Sequence, residues 1–175
     1  MKQLRSHLSV LVWGGSLLAG ILHPPPSHAA ATCDPWAARV ASVQGTVEAR
    51  KAGEALWQPV RLDDTYCAGD SIRVGERSRA DLALVNQPVL RLDQNTTITL
   101  DGVKKEGASL VELIKGALYF FSRVPRNLEV LTAFVNAGVE GTEGIVRVEA
   151  ERTSISIFEG KVVAAVSVSL DITAR

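Results

Sequence analysis

Histidine is scarce in this chain and gathered at one end. Of 175 residues, three are histidine (His7, His23 and His28), and they share the first 28 positions with the single methionine. The same stretch reads as a leader: Lys2 and Arg5 precede an apolar run over residues 8–22, then come three prolines and small residues up to Ala31. About 15 apolar residues make the core of a signal peptide and fall short of the about 20 that span a bilayer. We therefore expect a signal peptide over residues 1–31, cleaved after Ala29 or Ala31. The remaining residues 32–175 would be one exported domain, periplasmic or extracellular, with no transmembrane segment in the mature form. A mature chain without imidazole has no Ser-His-acid or Cys-His catalytic set and lacks most zinc, copper and haem ligand sets. No cofactor or metal site is expected.

Other shortages narrow the reading further. Basic residues form no concentrated run, and losing Lys2 and Arg5 moves the net charge from zero to about two negative. Nothing favours nucleic acid, which needs a basic face. The segment Gly141-Thr142-Glu143-Gly144 has neither the lysine nor the following helix of a phosphate-cradling loop. Serine and threonine runs at 153–156 and 167–169 have no base to activate them. Only two cysteines occur, Cys33 and Cys67. In an oxidising compartment they are expected to pair, contributing roughly 3 to 4 kcal/mol by closing the intervening loop. A lipidated Cys33 and two free thiols are the competing readings.

What the chain has is alternation. Val146 and Val148 oppose Arg147 and Glu149, and Ile155 and Ile157 oppose Ser154 and Ser156. A period of two describes half-buried β-strands. Strands are expected over 38–47, 71–74, 79–85, 89–92, 97–100, 109–114, 117–122, 128–131 and 133–135, and 139–163 reads as consecutive antiparallel strands, with Glu159-Gly160 turning the chain into 161–166. Glycine and asparagine punctuate them at roughly ten-residue intervals. The fold class is all-β, a single domain of short antiparallel strands. The alternation continues over 166–172, as an edge strand or as the front of something longer.

The order of the words is informative. Val43-Gln44-Gly45-Thr46-Val47 comes first, then Trp57, Ala68-Gly69-Asp70-Ser71-Ile72-Arg73, Gly116-Ala117-Leu118, Val139-Glu140-Gly141-Thr142-Glu143 and Phe158-Glu159-Gly160-Lys161-Val162. This series resembles the FecR domain of iron-citrate transport regulators, over roughly residues 40–166. The resemblance implies a twisted solenoid-like or sandwich arrangement, with Gly45, Trp57, Gly69, Asp70, Gly116, Gly141, Thr142, Glu143 and Gly160 as structural motif positions. Two departures stand out. Asn86-Gln87-Pro88 replaces the usual Asp-Gly and suggests a wider loop. Gly144 replaces a bulky apolar residue and should leave a bulge or gap beside Thr142. Full-length regulators of the family also carry a sigma-factor-controlling segment, a membrane helix and a further signalling domain. None is recognisable here, so that regulatory role is not carried over.

Several side chains invite chemistry. Asp70 could join Asp63 or Asp64 as an acid pair, but an aspartate after glycine is more often a turn residue bonding backbone amides. Glu140 and Glu143 could serve a carboxylate-based glycosidase, yet they more economically cap turn amides or pair with Arg147. Trp57 and Tyr119 are candidate ligand-facing aromatics, and together on one face they would favour carbohydrate or peptidoglycan binding. The favoured expectation is a non-catalytic extracytoplasmic interaction or scaffold module, not an enzyme, whose partner is a protein or an envelope polymer.

Overall fold

Strands form where aliphatic residues alternate with polar ones, and glycine decides where each strand bends. The computed structural model describes residues 33–104 and 107–166; the expected signal peptide lies outside them. Among the described residues there is no helix, in keeping with the all-β expectation. The strands are β1 (Ala38–Gln44), β2 (Val47–Arg50), β3 (Gln58–Pro59), β4 (Thr65–Tyr66), β5 (Ser71–Val74), β6 (Arg79–Leu84), β7 (Val89–Leu92), β8 (Thr97–Val103), β9 (Ser109–Phe121), β10 (Pro125–Leu131), β11 (Val135–Val148) and β12 (Thr153–Val166).

Two stacks of short strands meet on β9. One runs β3-β2-β5-β8 and the other β4-β1-β6-β7. β8 pairs with the first half of β9, from Val103 opposite Ser109 to Thr97 opposite Lys115. β7 pairs with the second half, from Leu92 opposite Leu118 to Val89 opposite Phe121. β11 divides in the same way. Its first part pairs with β10, and its second part returns to β9, with Glu143 opposite Phe121 and Val148 opposite Gly116. β10 itself lies parallel to the first half of β9, Leu128 opposite Ser109. The pairing β9-β10-β11-β9 is a closed circuit, so the sheet rolls around one core.

Burial shows how the long strands turn the corner. On β9 the inward side chains are Ser109, Val111 and Leu113, and then Leu118 and Phe120, a change from odd to even positions. Gly116 sits at the change with φ +90°, a left-handed conformation glycine adopts without steric cost. On β11 the inward set passes from Ala137 and Val139 to Val146 and Val148, with register shifts on either side of Glu143. On β12, Ile155 and Val162 touch the core on either side of Gly160, whose φ is +86°. Each strand can thus present apolar residues to the core on both sides of its bend. Phe120, Leu82, Leu90, Leu92, Ile98, Leu113 and Leu118 are fully buried, each contributing about 1.5–3 kcal/mol relative to exposure.

Three expectations are corrected. The strands are not uniformly short or antiparallel: β9, β11 and β12 have 13, 14 and 14 residues, and β10 is parallel to β9. Glu159-Gly160 and Lys115-Gly116 are bulges inside continuous strands where a turn and a break were expected, because a positive-φ glycine can kink a strand without ending its pairing. Residues 38–47 form two strands, divided at Gly45 with φ +76°. The rolled circuit with a single core is sandwich-like; in a solenoid each coil would contact only its neighbours.

Candidate functional site

The N-terminal part of the domain is fastened by a buckle. Cys33 and Cys67 form a disulfide with a Cα–Cα distance of 5.7 Å. Three residues on, the Asp70 side chain is 3% exposed. Its Oδ1 accepts from the Ala52 amide at 2.9 Å, and its Oδ2 accepts from the Cys67 amide at 2.9 Å and from Lys51 Nζ at 3.0 Å. Lys51 also donates to the Thr65 carbonyl and lies 4.5 Å from the Tyr66 ring centroid. Asp64 is used separately, accepting from the Arg61 amide and the Tyr66 hydroxyl. Burial, with Asp64 and Asp70 nearby, pushes the Tyr66 phenol well above the usual tyrosine range. Asp70 therefore organises backbone, and among the described residues no group of acids, cysteines or histidines could hold a metal ion.

The glycine positions are explained by close approaches. A Cβ on Gly45 would stand 2.3 Å from Ser78 Oγ, the atom that accepts the Thr46 amide at 2.8 Å. A Cβ on Gly116 would stand 2.5 Å from the Thr96 Cα. There the buried Thr96 hydroxyl accepts from the Ala117 amide and donates to the Ala117 carbonyl, both at 3.0 Å, which closes the bulge. At Gly69 a Cβ would meet Ala52 at 2.9 Å. On β11, Gly141 and Thr142 fall between Glu140 and Glu143, where the register shifts as expected. Gly144 admits the Ser156 carbonyl and the Phe120 ring, which a Cβ would meet at 2.6 and 2.9 Å.

Trp57 and Tyr119 occupy different neighbourhoods. Trp57 is half-buried under two guanidinium groups, Arg73 at 4.3 Å and Arg50 at 5.0 Å from its ring centroid. Tyr119, also half-buried, has Arg91 at 5.9 Å and the Phe158 ring at 6.3 Å, and its hydroxyl donates to Glu143. That bond raises the phenol above its usual range. Glu140 pairs with Arg126 at 3.1 Å and Lys161 at 3.5 Å, in place of the expected Arg147. The Arg126 guanidinium, helped by Lys161, holds the Glu140 carboxyl below the usual carboxylate range. The two glutamates are thus committed to different partners.

Two features were not anticipated from the sequence. Asn86, in the turn between β6 and β7, donates to the carbonyls of Gly107 and Asn127 and accepts from Ser109 Oγ, while Asn127 binds back to Asn86 and to Ser122. The signal was available: polar Ser109, Ser122 and Asn127 interrupt apolar alternation at positions that prove buried. The second is the open side of the sheet. Among the described residues β12 pairs only with β11. Its Ile157, Phe158, Val163 and Val166 are 37, 60, 50 and 76% exposed.

The all-β fold agrees with the motif words, and comparison with protein families decides the matter. The family model for FecR protein matches residues 70–163, more than half of the chain. The chain belongs to the FecR family. In general terms the FecR domain is a regulatory or signalling-related module. The match starts at Asp70, yet β1 and β2 belong to the same sheet, because β1 pairs with β6 and β2 with β5. Searches of curated proteins and of solved structures found no match.

Proposed function

We propose that this FecR domain is a non-catalytic interaction module working outside the cytoplasm, in which β12 accepts an extended segment of a partner protein as the next strand. The observation that carries the reading is β12 itself: fourteen residues long, paired on one side among the described residues, and studded with exposed apolar side chains. A long apolar edge is a template for strand addition, and on β12 the devices that blunt an edge, charge and a bulge, are confined to Glu159, Gly160 and Lys161, leaving apolar stretches on either side. Backbone hydrogen bonds then give affinity, and alternate side-chain positions give specificity. The Cys33–Cys67 disulfide supports an oxidising compartment. Carbohydrate stacking finds less support, since arginines cover Trp57. A glycosidase finds less still, with Glu140 held by Arg126 and Lys161 and Glu143 by Tyr119.

The test is site-specific photo-cross-linking of the exported chain in its own cell envelope. A photoreactive residue at Val163 should give a discrete adduct with a second protein, and Phe158→Asp should abolish it. The same probe at Leu56, 74% exposed in the loop between β2 and β3, should give none. Adducts confined to the chain itself, or equal at both positions, would refute the proposal.

A further inference from the structure

A second surface lies on the outward face of β6, β7, β9 and β11, and it does not depend on the open edge of β12. Two cross-strand rows run side by side there. One is Asp81-Arg91-Tyr119-Ile145 and the other is Arg79, Asp93, Ala117, Arg147. Ala117 is the smallest residue in either row, so a groove of about 260 Å³ opens above it, walled by Tyr119 and Ile145.

Arginines crowd this groove. Three guanidiniums and one carboxylate, Asp93, belong to its lining, with the carboxylates of Asp81 and Glu143 at its border against Arg91 and Tyr119. Arg91 is held in place, bonding Asp81 through two nitrogens at 2.9 and 3.3 Å and lying over the Tyr119 ring. The Glu143 bond fixes the ring from the other end. The other two arginines are held more loosely. Arg79 forms a salt bridge to Asp93 at 3.9 Å, longer than a hydrogen bond, and Arg147 is exposed and near enough to Glu149 to lower that carboxyl without pairing to it among the described residues. Arg79 and Arg147 stand three strand spacings apart, about 14 Å between backbones. Two long side chains can close much of that span from opposite sides of the Ala117 gap.

We propose that this groove binds an organic oxyanion, a carboxylate or phosphate carried on a flat ring, with the ring against Tyr119 and Ile145 and the anion between Arg79 and Arg147. A guanidinium presents a planar fork of donors that fits either group in bidentate fashion. An aromatic wall beside a small-residue floor accepts a ring, and a few placed polar groups then orient it.

Calorimetric titration of the full chain with benzoate, phenyl phosphate, inorganic phosphate and benzyl alcohol tests this. Benzoate or phenyl phosphate should bind saturably, and which of them binds tells a carboxylate from a phosphate ligand. Inorganic phosphate and benzyl alcohol, each lacking half of the recognition, should bind at least tenfold more weakly. Arg147→Ala and Arg79→Ala should each weaken binding about tenfold, as expected for losing a bond to a charged group, and added salt should weaken it further. Both positions are outside the core, so unchanged circular dichroism will show that the variants fold. Failure of both aromatic anions to saturate, inorganic phosphate binding as tightly as they do, or variants that bind like the parent would each overturn the proposal.

Discussion

Replacing Asp70 by alanine should be among the most damaging single substitutions in the domain. The carboxylate is buried and takes three donors from two segments: the Ala52 amide and Lys51 Nζ beyond β2, and the Cys67 amide beside the disulfide. Hydrogen bonds to a charged group contribute about 1.5–3 kcal/mol each, and their plain sum would reach about 4.5–9 kcal/mol. That sum is too large, because two donors can find water. Ala52 is exposed and Lys51 is 26% exposed, whereas Cys67 is half-buried and its amide has less access to water. Counting one stranded amide and the lost fastening of two loops gives about 3 kcal/mol, in the range for truncating one partner of a buried pair. Urea unfolding of the oxidised protein, with the disulfide intact in parent and variant, measures this. Lys51→Ala should cost less, since the two amide bonds to Asp70 survive. The double variant should cost clearly less than the sum of the two, because the substitutions share one contact. A cost below about 1 kcal/mol for Asp70→Ala, or strict additivity with Lys51→Ala, would refute the view that this carboxylate ties the segments together.

Other substitutions probe separate parts of the structure. Replacing both cysteines by serine should lower stability by about 3 kcal/mol, and reduction of the parent should reproduce the shift in the urea midpoint. Gly116→Ala should cost at least about 2 kcal/mol, combining a left-handed backbone with a Cβ driven into the Thr96 Cα; chemical denaturation will show it. The chain's two tyrosines, Tyr66 and Tyr119, both have phenols raised above the ordinary value of about 10. An ultraviolet titration should find both ionising later than a free tyrosine, and Glu143→Gln should bring Tyr119 back without moving Tyr66. The neutral phenol is the form favoured in the folded state. Its contribution to stability is therefore complete below about pH 10 and is lost as pH climbs through the folded-state values.

Much of the sheet was legible in the sequence because one face of each strand is buried and the other wet. β5 and β7 coincide with the alternating segments 71–74 and 89–92, and β6 differs by one residue. The failures have one physical origin. Glycine at positive φ is compatible with a turn, a strand end or a bulge, and local sequence does not say which partner strand lies alongside. Beside Gly116 and Gly160 a neighbouring strand maintains the ladder, so the chain continues. Near Gly45 β1 and β2 diverge to different partners, β6 and β5, so it stops. The disulfide was legible from the cysteine count and the expected export. The partners of Glu140 and the separation of Trp57 from Tyr119 were not, because they depend on how the sheet rolls. The Asn86 clasp was hidden for the same reason: it joins a turn to residues 21 and 41 positions away.

The bulge on β9 also governs how the gene can change length. Gly116 is the extra residue that shifts the inward face by one position, so deleting it would leave Leu118 and Phe120 facing the core in strict alternation with Leu113, but would turn Lys115, exposed in the folded domain, toward the core and remove the kink. A one-codon loss there therefore buries a lysine and straightens the corner, whereas the exposed residues 53–56 between β2 and β3 could gain or lose a codon with little effect on the interior. Natural length variation among homologous chains should accumulate in such loops and spare the middles of β9, β11 and β12.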